Sequence, residues 1–124
     1  MNLSSIDPAA LLLLHEESLA EIGEEVGPYD EALLDAALAY PLHLAVLQVA
    51  DVAAIAAAYA VGMLKYRPFV VGNERTALLA LGMFLYLNDW RLNASQEEAV
   101  HVILRASAAE LDEESLADWI RAHL

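Results

Sequence analysis

Residues 42–64 form an apolar run long enough to cross a bilayer, and whatever this chain folds into has to hide it. The run is rich in Ala rather than Leu or Ile, and it carries His43, Gln48 and Asp51. An Asp at the centre of a membrane span costs about 2.5–3.5 kcal/mol, which Ala does little to offset. A buried core helix is therefore expected, with no membrane contact. A chain of 124 residues, 59% hydrophobic and 20% charged, can wrap such a helix in one globular domain, residues 1–124.

The wrapping is predicted to be helical throughout. Asp7-Pro8 reads as an N-cap followed by Pro at the first helical position. The helix it opens shows Leu11, Leu12, Leu14, Leu19 and Ile22 and is expected to end near Gly27-Pro28. A second helix follows Tyr29-Asp30, shows Leu33, Leu34 and Leu38, and is expected to stop at Pro41. The third is the Ala-rich run, reaching about Tyr66 before Pro68 closes it. The fourth starts near Asn73 and ends at Asn88-Asp89, a pair that tolerates left-handed backbone. Trp90-Arg91-Leu92 reads as an extended connector. Ser95 with Glu98 forms a capping box for a fifth helix to about Ala109. A sixth begins near Asp112 with Leu116, Trp119 and Ile120 inward. No stretch alternates with a period of two for long enough to form a sheet. The expected class is all-α, about six helices with the two most apolar at the centre.

Charge narrows the partners. The chain carries a formal −13, with nine acids before residue 36 and seven after residue 96. Such a surface repels phosphate backbones, so no nucleic-acid partner is expected, and a basic protein segment would suit it better. Cysteine is absent, which excludes disulfides and thiolate chemistry. Met1 to Asp7 holds no positively charged leader, and a cytoplasmic location is expected. Homo-oligomer formation stays open.

Most candidate chemistry has a plain structural reading. His15, His43, His101 and His123 show no pair at helical ligand spacing, so no metal site is expected and surface or capping roles are assigned. Glu16-Glu17, Glu24-Glu25 and Glu113-Glu114 read as solvated faces. Asp51, inside the apolar run, is expected either to cap or pair with a neighbouring helix, through Tyr59 or Arg75, or to face a partner.

One segment resists that reading. Four of the six basic residues (Lys65, Arg67, Arg75, Arg91) lie between positions 65 and 91 against only Glu74 and Asp89. Within this window, residues 67–75 feed directly into the fourth helix. The segment is either a connector whose Phe69 plugs the core, or an anion cradle. As a cradle, Gly72 would allow close backbone approach, Asn73 would cap or donate, and Arg75 would fork onto a phosphate.

Pro68, Phe69, Gly72, Asn73, Arg75, Thr76, Ala77 and the later Leu87-Asn88 stand in register with a known signature. The segment resembles the Fic/Doc (Fido) superfamily motif H-x-F-x-[D/E]-[A/G]-N-[K/G]-R, in the form common to Doc toxins, H-P-F-x-D-G-N-K-R-T-A. Leu14-His15-Glu16, Gly27-Pro28, the 108–112 stretch and Trp119-Ile120 resemble further landmarks of Doc proteins. The resemblance implies an all-α Fido fold and an enzyme that moves phosphate-containing groups from a nucleotide to a protein hydroxyl. ATP or another nucleotide with Mg²⁺ would be the cofactor and a Phd-like antitoxin the partner. It also implies that the motif His is the general base, that Asn and Arg hold phosphate, and that Phe anchors the loop.

Three chemical positions depart from that pattern. Arg67 stands at the base position, Val71 at the acid position and Glu74 at the Lys/Gly position. Arginine stays protonated near neutrality and takes no proton from a hydroxyl. Val71 ligates no metal. A neutral His, an Asp and a Lys sum to zero charge, as do Arg67, Val71 and Glu74. The expectation is an Arg67–Glu74 ion pair across the loop, in a Doc-like protein that binds a partner or anion without the usual transfer. The alternative is an active kinase- or AMP-transferase-type enzyme, with Arg67 steadying transition-state charge and Glu74 as the base.

Overall fold

The computed structural model describes residues 3–46 and 51–124. Among these lie six helices: α1 (Pro8–Glu21), α2 (Glu31–Val46), α3 (Val52–Tyr66), α4 (Asn73–Leu87), α5 (Gln96–Ser107) and α6 (Glu113–Ala122). No strand occurs among the described residues; a single antiparallel bridge joins Tyr29 to Phe69. The all-α expectation holds.

α3 is the axis of the bundle. Ala53, Ala56, Ala57, Ala58, Ala60 and Met63 are fully buried, and α2, α4 and α6 pack around them. Alanine explains the arrangement, because small side chains let three neighbouring helices approach one backbone closely. α4 is the second central helix and buries Thr76, Ala77, Ala80, Leu81, Phe84 and Leu85. α5 and α6 are strongly amphipathic and close the far side through Val102, Ile103, Leu116 and Ile120.

Pro41 does not stop α2, which continues to Val46. A proline inside a helix deprives the carbonyl four residues earlier of its partner, here Ala37. That carbonyl lies against Gly62 of α3, so closely that a Cβ there would stand 2.5 Å from the Ala37 oxygen. The α3 backbone closes on the carbonyl freed by Pro41, and the helix continues past the proline. The ring itself is fully buried.

The apolar run is consequently two helices rather than one. Its first residues belong to α2, and α3 begins only at Val52. Gln48 lies outside the described residues. Asp51 is the N-cap of α3, its carboxylate accepting from the Ala54 N–H at 2.9 Å. Its ion-pair partner is Arg121 of α6, through two bonds of 2.6 and 2.8 Å, and neither Tyr59 nor Arg75.

α1 also ends earlier than Gly27-Pro28. Gly23, at φ +73°, reverses the chain, and the N–H groups of Gly23 and Glu24 donate to the Ala20 and Leu19 carbonyls. This is the paired C-terminal closure that a left-handed glycine permits. It leaves Ile22 outside the core and residues 24–30 free to run across the α3–α4 loop.

Candidate functional site

Residues 67–72 join α3 to α4, and each turn of this loop has a local cause. Arg67 ends α3 in left-handed backbone (φ 46°, ψ 60°), and Pro68 cannot continue a helix. Phe69 then drops inward. Its ring stacks on His15 of α1 with centroids 3.9 Å apart and is flanked by Tyr29 at 5.9 Å. The Asp30 N–H donates to the Pro68 carbonyl at 2.9 Å, so residues 29–30 pin the loop from outside. Gly72 precedes α4 at φ +82°, where a Cβ would meet both His15 and Leu19 at 3.5 Å. The backbone angle favours glycine there, while the space would admit a Cβ in ordinary contact.

Asn73 is committed to the loop itself. The Phe69 N–H donates to Asn73 Oδ1 at 3.0 Å, and Asn73 Nδ2 donates back to the Phe69 carbonyl at 2.7 Å. The residue is buried, and both ends of its amide are spent on one backbone position. The side chain therefore points into the loop and away from any ligand at its mouth.

The two charged neighbours meet. Arg67 Nη2 donates to Glu74 Oε1 at 2.8 Å, and the Ser107 hydroxyl of α5 donates to the same oxygen at 3.1 Å. Burial works to raise the Glu74 pKa. The Arg67 guanidinium, the residue's own backbone N–H and Ser107 outweigh it and hold the carboxyl below its ordinary value. Glu74 is thus a firmly ionised carboxylate at the first turn of α4, where the helix favours negative charge.

Arg75 differs. Its Nε donates to Ser18 Oγ of α1 at 2.6 Å, and no carboxylate among the described residues lies within ion-pair distance of it. Ser18 orients the guanidinium without neutralising it. Val71 is partly exposed and brings no polar atom to the loop mouth.

His15 is not a surface residue. It is only 3% exposed, lies beneath Phe69, and shares a hydrogen bond between its Nδ1 and Thr76 Oγ1 at 2.8 Å. Burial lowers its pKa, with Glu16 acting weakly the other way, so the ring is neutral at neutral pH. The signal that could have found it was its spacing of four residues from both Leu11 and Leu19, on the buried face of α1.

Glu113 is likewise more than a solvated acid. It accepts a 2.5 Å bond from the Tyr40 hydroxyl, which pushes that phenol up to about 12. His123 fits its capping role at the end of α6, with Nδ1 2.7 Å from the Trp119 carbonyl. Glu16, Glu17, Glu24 and Glu25 are exposed, and His43 and His101 face outward. Among the described residues no cluster of three acids or histidines could hold a metal ion. None of the described helices is long and apolar enough to cross a membrane.

A loop held by an asparagine clasp at the entrance of a central helix is the class of site this fold defines. The model of the Fic/DOC family matches residues 5–85, from α1 through the loop and most of α4, and the chain belongs to the Fic/DOC family. No curated protein matches the chain.

Proposed function

We propose that this protein is a Doc-like, toxin–antitoxin-type member of its family that has lost group transfer and acts by binding a protein partner or an anion. The observation that carries the reading is the 2.8 Å ion pair between Arg67 and Glu74 at the loop mouth. Arg67 occupies the position of the family's base, and a guanidinium accepts no proton near neutrality. Loss of a positioned base costs about 10²–10⁴ in rate. Glu74 sets a fixed negative charge where a nucleotide phosphate would approach. At about 5 Å and an effective dielectric of about 20, Glu74 taken alone would repel each unit of phosphate charge by about 3 kcal/mol, and its ion pair with Arg67 offsets part of that, so nucleotide binding is weakened.

The acid position supports the same reading, since Val71 offers no ligand to Mg²⁺. Asn73, spent on Phe69, serves as the clasp of the loop, and anion binding falls to Arg75 alone. The partner that suits the acidic surface is a Phd-like antitoxin or another basic protein segment, in a cytoplasmic setting.

A second reading, an active nucleotide-dependent transferase with a rearranged site, is favoured by Arg75. It has a hydroxyl to orient it and no carboxylate among the described residues to neutralise it. Calorimetry with ATP, UTP and GTP in the presence of Mg²⁺ separates the two. The binding reading expects no heat from any of them. Heat with one nucleotide, together with growth arrest on expression that Arg75→Ala abolishes, would establish the transferase instead. Restoring His, Asp and Lys at positions 67, 71 and 74 is expected to bring nucleotide binding back.

A further inference from the structure

α5 is amphipathic, yet its outer, polar side holds two large apolar residues in solvent. Val100 is 40% exposed and Leu104 is 51% exposed, one turn further along. With Ser95, Gln96, Glu97 and His101 they line an open depression of about 690 Å³. One exposed leucine is ordinary, but an apolar pair set in a depression marks a contact side. α4 extends that side. The Ser107 hydroxyl at the end of α5 bonds Glu74 in the first turn of α4, so the two helices run antiparallel. By helical rise, Tyr86 of α4, which is 80% exposed, stands level with the start of α5.

Charge selects the occupant. The chain holds nine acids and no lysine or arginine before residue 36, so the α1 and α2 surfaces repel a second copy of it. The α5 side differs. Glu97 and Arg105 are both exposed, and neither belongs to an ion pair among the described residues. About 12 Å of helix separates them, too far for them to pair with each other. Glu98, the other acid of α5, turns toward His123 of α6. A face with a negative end, an apolar middle and a positive end is complementary to itself when the second copy is turned end for end. A twofold axis through His101 sets Glu97 level with Arg105 of the other copy. The same axis brings Val100 within about two residues of the level of Leu104 of the other copy.

We propose that this face binds a second copy of the chain, as an antiparallel α5–α5 pair about a twofold axis. Val100 and Leu104 form its apolar centre, and two reciprocal Glu97–Arg105 ion pairs fix its register. Residues 67–72 take no part, so the pairing goes beyond the loop-based reading above. One side of a helix about 18 Å long, with Tyr86 beside it, buries less than the about 800 Å² per partner of a stable complex. A weak pair is therefore expected, with Kd on the order of 0.1 mM.

Sedimentation equilibrium of the full chain from about 0.01 to about 1 mM tests the pair, and ¹⁵N NMR over the same range locates it. The mass should rise from monomer toward dimer, with shifts at residues 95–105 and at Tyr86. Leu104→Glu should weaken the pair about tenfold with an unaltered thermal melt, because the side chain is exposed. Glu97→Arg and Arg105→Glu each turn two attractions into two repulsions, and each variant alone should stay monomeric. Mixed in equal amounts they should pair, since every charge then meets its opposite. The double variant should self-associate like the parent. Both swaps oppose the α5 dipole and the double variant carries both costs, so its recovery reads pairing and not helix stability.

A parent that stays monomeric at about 1 mM would overturn the proposal and leave the face to a different protein. Concentration-dependent shifts confined to other residues, or a dimer that Leu104→Glu leaves intact, would overturn it in favour of another surface. Single-swap variants that stay apart when mixed would refute the antiparallel register. Nucleotide calorimetry reads the loop, whereas sedimentation of the chain alone reads α5, so each reading fails by its own measurement.

Discussion

Replacing Asn73 with Ala separates a clasp from a ligand-holding residue. The side chain makes two buried hydrogen bonds, 3.0 and 2.7 Å, to the N–H and carbonyl of Phe69. Truncation leaves both backbone groups unpaired in a buried place, at about 1–3 kcal/mol each. Alanine returns about 0.5 kcal/mol through its better helix propensity, and local relaxation recovers part of the rest. A net loss of about 2–4 kcal/mol is expected. For a chain of this length about 4 °C of Tm accompanies each kcal/mol, so Tm should fall by about 8–16 °C. Urea unfolding followed by circular dichroism should show the same loss as a lower midpoint at unchanged slope. Were Asn73 only a phosphate contact, the variant would melt with the parent and lose ligand affinity alone. A Tm change under about 2 °C would therefore refute the clasp.

Three further predictions follow from the same contacts. Gly62→Ala drives a Cβ to 2.5 Å from the Ala37 oxygen; a loss of about 2–3 kcal/mol in urea unfolding is expected, since backbone must move. The Arg121 guanidinium and the Ala54 N–H hold Asp51 at about 2, below its ordinary 3.8. A depressed carboxylate stabilises the fold above its unfolded-state pKa and loses that contribution as pH falls through the folded value. The stability gap between parent and Asp51→Asn should thus be constant above about pH 5 and shrink between about pH 4 and 2. Buried, neutral His15 works with the same pH sign: below its ordinary 6.5 the unfolded chain takes up a proton that the native ring resists. Parent stability should therefore fall from pH 7.5 toward about pH 5.5, and His15→Phe, which keeps the stack on Phe69, should lessen that slope.

Helix beginnings were easier to read than helix ends and interruptions. Asp7, Asp30, Ser95 and Asp112 cap their helices as local chemistry requires, each with a side-chain oxygen accepting an early N–H. Pro41 misled because a lost hydrogen bond within α2 is visible in sequence, whereas Gly62 waiting on α3 is not. Asp51 was legible in part. A cap was among its expected roles, but it starts a new helix where one long helix was expected, and Arg121, 70 positions away, is what settles its charge. At the site, the motif located the loop, the Phe69 plug and the Arg67–Glu74 pairing. The inward turn of Asn73 was missed because it depends on the loop folding the Phe69 backbone back onto that side chain, and the burial of His15 because it depends on how α1 lies across the loop.

The sequence by itself determined the class of fold, the caps and the charge exchange among Arg67, Val71 and Glu74, since these follow from side-chain chemistry and spacing within a turn or two. Tertiary structure alone decided that His15 stacks beneath Phe69, that Ser18 orients Arg75, and that Ser107 steadies Glu74. Each of those contacts joins residues far apart in the chain. No local propensity specifies them; the packing of α1, α4 and α5 around the Ala-rich axis does.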